Sequence, residues 1–464
     1  MKTFNYLFSK LSLLLLIITF VSCDNNDDDD YVNPVPDSVV TYALADEDYT
    51  SLVAALQAAD GNLVDALSGS GPFTVLAPTN EAFSAFLSDN GFASLSDVPT
   101  DVLSQVLLNH VIPANVWSGD IVSAGSGYTT TLATGAGDRP MSLFFDSSNG
   151  VMFNGVSTVI AADGMTGNGV VHKIDKVIGL PTIVDHAVAN SSFTSLVGAL
   201  TTDGNTTFTS LLSSAGDFTV FAPTNDAFSS FENPNAQELN SILANHVIPG
   251  ASAFSDQLDN MYVKTAAQMM DGSMIDMYIN TDNGVMVNGM ANVIAADVVA
   301  SNGVIHVVDK VIDIPSVVDF AVSDPNFATL VSALTRDDLE TDFVSILSSY
   351  DMEVYPFTVF APTNEAFGAL LAELEISGLA DIDMATLSAT LMHHVVAGAN
   401  VRSMSLTDQM EISTLGGSIY TDLSDGAKLV DMNSRSIGIS VVDVQAGNGV
   451  IHVIDQVILP NLSE

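Results

Sequence analysis

Apolar positions fall three and four apart in Val317-Val318-Asp319-Phe320-Ala321-Val322 and again in Phe327-Ala328-Thr329-Leu330-Val331-Ser332-Ala333-Leu334. That spacing predicts two amphipathic helices. The run Phe357-Thr358-Val359-Phe360 reads as a short buried strand, stopped by Pro362. Thr363 or Asn364 then offers a side-chain oxygen to cap a helix, with Glu365 suited to its first turn and Phe367 on its core face. Elsewhere the period becomes two: Met274-Ile275-Asp276-Met277-Tyr278-Ile279, then Asn283-Gly284, then Val285-Met286-Val287. Asn-Gly between such runs predicts a β-hairpin. Helices first and hairpins later predict an α+β fold, with an antiparallel sheet carrying helices on one side.

This grammar occurs three times. Phe73-Thr-Val-Leu-Ala-Pro-Thr-Asn80 returns as Phe218-Thr-Val-Phe-Ala-Pro-Thr-Asn225 and Phe357-Thr-Val-Phe-Ala-Pro-Thr-Asn364. A second block is Asn109-His110-Val-Ile-Pro113, Asn245-His246-Val-Ile-Pro249 and the looser His393-His394-Val-Val396. A third is Asn168-Gly-Val-Val-His172, Asn302-Gly-Val-Ile-His306 and Asn448-Gly-Val-Ile-His452. The last histidines stand 134 and 146 residues apart, which is domain length, so each copy should close its own core. The repeats place domains at 38–180, 181–314 and 315–460, and the N-terminal runs leave a leader at 1–22 and a tether at 23–37.

The first and third blocks resemble the two signatures of fasciclin-type (FAS1) domains. The resemblance implies a wedge-shaped β-sandwich with a helical layer in each domain. It also implies adhesion or matrix interaction at a cell surface, in a family not known as an enzyme class. In animal fasciclin-domain proteins an Asp-Ile pair before the third block is an integrin-binding element. Asp297-Val298 and Asp443-Val444 match it conservatively, and Gly164 after Asp163 breaks the pair in the first copy.

Charge narrows the partners. Fifty-five acidic side chains against eleven basic ones give a net charge of −44, a field that repels phosphate backbones. Nucleic acid is therefore not an expected partner. With 47% apolar residues the chain has ample material for cores. Its single cysteine, Cys23, rules out an intramolecular disulfide framework and cysteine-based zinc or iron–sulfur sites.

Leu11 to Val21 is an apolar run too short to span a bilayer, and it ends in Phe20-Val21-Ser22-Cys23. This resembles the lipobox of bacterial lipoproteins, which implies lipidation of Cys23. The acidic stretch Asp24-Asn25-Asn26-Asp27-Asp28-Asp29-Asp30 is similar to the surface-export signal of Bacteroidetes lipoproteins. Together they imply an outer-membrane, cell-surface location through a lipid anchor.

Histidines are the obvious candidates for chemistry, yet within each copy the recurring pair lies about 60 residues apart without cysteine or glutamate company. His172, His306 and His452 sit in apolar strands, where a buried imidazole bonded to backbone is expected. His110, His246 and His394 follow a helix and could satisfy its terminal carbonyls. His393 beside His394 has no counterpart in the other copies, and in a regular strand the two would point apart. Asp175, Asp309 and Asp455, three residues after the strand histidine, read as turn-supporting acids. Trp117, the sole tryptophan, could serve as a sugar-stacking platform. No nucleophile elbow, phosphate loop or dinucleotide fingerprint is present. No catalytic residue, cofactor or metal is therefore expected. The reading is a non-enzymatic adhesion protein whose partner is a surface or matrix protein or a glycan. A polysaccharide-binding accessory lipoprotein is the alternative, and a carboxylate-type hydrolase the third.

Overall fold

Each repeat opens with a capped helix. Thr182 and Ser316 accept a hydrogen bond from the backbone N–H of Asp185 and Asp319, whose carboxylates reach back to the cap backbone and start helices Ile183–Ala189 and Val317–Ser323. Ser38 caps Val39–Leu44 in the same way, with Thr41 as its partner. Second helices follow at Thr50–Ala58, Thr194–Leu200 and Ala328–Leu334. The computed structural model describes residues 35–202, 206–351 and 354–461; Cys23, the apolar leader and the acidic stretch lie outside the described residues. From Pro36 onward the chain forms one compact unit.

Seven strands per domain make one continuous hydrogen-bonded order. In the first domain it runs Val111–Ile112, Phe73–Pro78, Gly169–Ile174, Ser157–Thr166, Met152–Phe153, Pro140–Asp146 and Ser126–Thr134. The fold is α+β, with three tandem domains of this kind, but the sheet is mixed rather than antiparallel. The two signature strands lie side by side in parallel, Phe73 opposite Gly169, Phe218 opposite Gly303 and Phe357 opposite Gly449. A parallel pair needs a long crossover, and here nearly the whole domain is that crossover. Local patterning cannot announce such a pairing.

The Asn283-Gly284 hairpin is present, joining Met274–Asn280 to Met286–Val287 with Ile279 opposite Val287. Its loop is five residues, 281–285, with Gly284 at φ 92°. The long strands Ser157–Thr166, Ala291–Ala300 and Ser436–Ala446 each carry two register shifts. Bulges bend a strand and re-aim its side chains. Here Asp163, Asp297 and Asp443 fall within the second shift at φ 62°, 62° and 59°. Aspartate tolerates that left-handed conformation better than most side chains.

Candidate functional site

Nearly every signature residue has an internal partner. Thr79, Thr224 and Thr363 cap the following helix by accepting from Ala82, Ala227 and Ala366 at 3.2 Å. The next residue, Asn80, Asn225 or Asn364, ties that helix to the opening layer. Its oxygen accepts from Ser51, Ser195 or Thr329 N–H, and its amide donates to the carbonyl of Glu47, Ser191 or Pro325. The third block works likewise. The oxygen of Asn168, Asn302 and Asn448 accepts from the first residue of the opening helix, Val39, Ile183 or Val317. Their amides donate to two carbonyls ahead of the first signature strand, such as Leu212 and Ser214.

The strand threonines hold a loop. Thr74, Thr219 and Thr358 donate to the carbonyls of Ala114, Ala251 and Ala399 and accept the backbone N–H of Val116, Ala253 and Val401. Those last residues present their own carbonyls to the strand histidines. Nε2 of His172, His306 and His452 donates to Val116, Ala253 and Val401 at 2.9, 2.8 and 2.8 Å. Nδ1 of each ring accepts from the backbone N–H of Asp163, Asp297 or Asp443, at 3.1, 3.4 and 3.4 Å. Burial pushes His306 and His452 below the usual imidazole pKa, against the pull of those carbonyls and of the nearby aspartates.

The histidines after the helix are buried too. His110, His246 and His394 donate from Nδ1 to the carbonyl four residues back, at 2.7, 2.8 and 2.8 Å, and accept at Nε2 from Ile178, Ile312 and Ile458 N–H. One ring thus satisfies a terminal helix carbonyl and a backbone N–H of the segment that follows the domain's last strand. Desolvation lowers each of the three to about 4. His393 does not alternate with His394 along a strand; both sit at a helix C-terminus, and His393 donates to Ala389. Its place in the other domains is taken by Asn109 and Asn245, whose oxygens accept from Thr131 and Thr265.

The aspartates before the third block act as clamps. Asp163 accepts from Ser118 N–H at 2.9 Å and Oγ at 2.6 Å, and Asp297 from Ser255 at 2.9 and 2.5 Å. Asp443 takes the same two bonds from Ser403. Burial raises the pKa of Asp163 and Asp443, but the serine bonds outweigh it and both end below the usual carboxylate value. Val298 and Val444 are buried in the core, so neither forms an exposed pair with its aspartate. Asp175, Asp309 and Asp455 accept from the backbone of Thr158, Asn292 and Gly438 at 2.7 Å, locking the last strand to its neighbour.

Serine, aspartate and histidine therefore meet in every domain, but in an order that cannot activate a nucleophile. The serine bonds the carboxylate directly, and the Nε2 that would take its proton already donates to a carbonyl. Among the described residues no group of three or more His, Cys, Asp or Glu side chains could hold a metal ion. A narrow apolar cavity in the middle domain is lined by Ile183, Val197, Leu200, Leu212, Val220 and Ile305, and His246 beside it has both nitrogens engaged.

What the repeats do not share lies at the domain junctions. Between the first two domains, Arg139 grips Asp256 at 2.7 and 2.8 Å and lies 4.9 Å over the ring of Phe254. Val299 N–H donates to Ser142 Oγ at 2.9 Å, and Tyr128 packs edge-on against His186. Between the second and third, Gln445 N–H donates to the buried Asp276 at 2.6 Å, Lys264 donates to that carboxylate within its own domain and to the Asp443 carbonyl across the junction at 3.1 Å, and Arg402 donates to Ser273. Burial raises the Asp276 pKa, partly countered by Lys264 and Gln445. Tyr262 crosses Phe320 at 5.3 Å and donates to Asp324 at 2.9 Å. Sequence reasoning missed these residues. The one available signal was scarcity: Arg139, Lys264 and Arg402 are three of the nine basic side chains after residue 22.

Comparison with known proteins accounts for the threefold plan. The Fasciclin domain family matches residues 47–181, 191–315 and 325–460, and the chain belongs to that family. Periostin from Homo sapiens is 24% identical over 447 residues, 91% of this chain and 47% of periostin. Transforming growth factor-beta-induced protein ig-h3 from Oryctolagus cuniculus is 26% identical over 446 residues, 93% of this chain and 59% of that protein. The chain thus spans about half the length of these two relatives. Protein sll1483 from Synechocystis sp. is 39% identical over 141 residues, 30% of this chain and 72% of its own. A solved FAS1 domain pair from the insect cell adhesion molecule Fasciclin I shares 20% identity, with a TM-score of 0.37, over 59% of this chain and 98% of the pair. Among the described residues no helix is long and apolar enough to cross a membrane.

Proposed function

We propose that this chain is a lipid-anchored cell-surface protein that mediates adhesion or matrix contact through weak contacts made in parallel by its three domains. The observation that carries this reading is one exposed aliphatic side chain at the same helix position in every domain. Leu44, Val188 and Val322, each the sixth residue of its opening helix, are 59, 65 and 65% exposed. A single exposed aliphatic means little. The same one in each of three linked domains offers a partner of matching spacing three equal footholds. Once the first engages, the others act at an effective concentration that reaches millimolar, and avidity gains of roughly 10²–10⁴ follow. Aliphatic footholds favour a matrix or surface protein over a glycan as the partner.

Membership of the fasciclin family supports adhesion, and the polar groups described above support binding over catalysis, because they are spent on the fold. In bead-adhesion assays, Leu44→Ser, Val188→Ser and Val322→Ser should each weaken attachment several-fold, and the triple variant should lose it. Full adhesion by the triple variant, or turnover of a polysaccharide, would overturn the reading. Saturable glycan binding lost with Trp117→Ala would replace it with the accessory role. The anchor is tested separately: Cys23→Ala should move the protein from the membrane to the soluble fraction, and acyl labelling that survives the substitution removes the lipid from the proposal.

A further inference from the structure

The two junctions inside the chain are built from equivalent positions, and the head of the first domain and the tail of the third carry the matching halves of another. Every junction joins the tail of one domain to the head of the next. On the head side, the residue before the clamped serine is Phe254 or Arg402, and both engage the preceding domain. Two residues after the clamp aspartate, Val299 and Gln445 donate their backbone N–H across the junction. The fourth residue of the opening helix, His186 or Phe320, meets the preceding domain's tyrosine edge-on. On the tail side, Phe144 and Tyr278, two residues before the end of their strands, are buried beneath those tyrosines.

The first domain holds the head positions with Trp117, Met165 and Tyr42, and the third holds the tail position with Tyr420. Trp117 is 36% exposed, Met165 56% and Tyr420 38%, whereas their counterparts at the junctions, Arg402 apart, are buried. Ser418 stands in the third domain where Ser142 and Asp276 accept the crossing N–H, and Leu415 is exposed in the adjoining loop. Charge adds nothing to the match between these two faces. Tyr262 and Val453 line the same cleft at the second junction. The free tail has Glu411 at the tyrosine position, paired with Tyr420 across the strands, and the free head has Lys173 at the valine position. Asp46 and Asp48 already hold Lys173 and leave that corner net negative, so the match rests on shape and apolar contact.

We propose that the head of the first domain, centred on Trp117 and Met165, docks the tail of the third domain of a second copy around Tyr420, repeating between chains the junction that joins domains within one. Such a contact is heterologous, so it extends chains end to end unless its rotation closes a ring. It concerns the head of the first domain and the tail of the third, and is independent of which matrix partner the exposed helix positions meet. Two chains of charge −44 repel each other, so the association should be weak in dilute salt and strengthen toward about 1 M NaCl, where the screening length is roughly 3 Å.

Trp117 is the only tryptophan and sits in the proposed contact, so its emission reports the contact alone. The full chain is followed at about 1 M NaCl over a wide concentration range by sedimentation velocity and tryptophan fluorescence. A blue shift that tracks the growth of larger species is expected. Tyr420→Arg, remote in sequence from the fluorophore, should weaken both signals by more than about tenfold, as should Met165→Arg on the other face. A chain that stays monomeric with unchanged emission overturns the proposal. So does association untouched by either variant, and so does an emission already blue at the lowest concentration, since another occupant then holds the face.

Discussion

Gly169→Ala will remove the first domain from the folded chain while leaving the other two intact. A Cβ on Gly169 would lie 2.1 Å from the carbonyl oxygen of Phe73 and 2.9 Å from its carbonyl carbon. The obstacle is backbone in the parallel pair that joins the two signatures, so no side-chain rotation relieves it. Overpacking in a core commonly costs about 1–3 kcal/mol, and a clash with fixed backbone should exceed that range. The same approach recurs at Gly303, 2.2 Å from the Phe218 oxygen, and at Gly449, 2.3 Å from that of Phe357. Calorimetry should show one of three unfolding contributions lost, and hydrogen exchange should place the loss in residues 39–178. Gly119→Ala is the control, because nothing lies within 4 Å of its Cβ and it sits in helix Ser118–Ala124, where alanine is the better residue. Equal stability of the Gly169 variant and the control would mean that the signature strands do not pair as described.

This glycine also marks where sequence reading works and where it stops. The Asn-Gly-Val-Ile-His block is recognisable because each position has a separate physical duty. The asparagine bonds three segments, the glycine admits a neighbouring carbonyl, and the histidine bridges a loop to a bulge. Such duties leave a strict pattern. The parallel pairing itself left none, since the partners are about 90 residues apart and each reads as an ordinary buried strand. The aspartates were visible as a recurring position, but their use was not. A left-handed aspartate in a bulge, reaching a serine some 40 residues away, looks from the sequence like any loop acid. Junction residues were the least legible. Phe254, Tyr262 and Val299 have the periodicity of core residues, and whether a core position faces its own domain or the next is decided by docking.

His186→Phe will make the first junction more stable, and the gain will grow as the pH falls. His186 is fully buried against Tyr128, and neither ring nitrogen completes a hydrogen bond, the Val299 backbone offering only a weak contact. A buried polar group left without a partner costs about 1–3 kcal/mol. The second junction has Phe320 at the equivalent position, meeting Tyr262 edge-on at 5.3 Å, so phenylalanine suits this geometry there. The imidazole adds a pH term. Desolvation lowers its pKa from 6.5 to about 4, with Val299 and Asp185 pulling weakly the other way. A histidine held neutral in the folded state binds its proton later than in the unfolded chain, so its stability cost is absent above pH 6.5 and accumulates down to about pH 4. Over that window the advantage of the variant should widen by up to about 3 kcal/mol. His110, His246 and His394 titrate in the same direction, so both proteins lose stability in acid, but the variant loses less. Urea denaturation at pH 7 and pH 4.5, with hydrogen exchange reporting residues 126–146 and 183–190, reads the difference directly. A constant gap between variant and parent at both pH values would show that His186 is hydrated or already bonded in solution, and that the junction carries no acid-labile group.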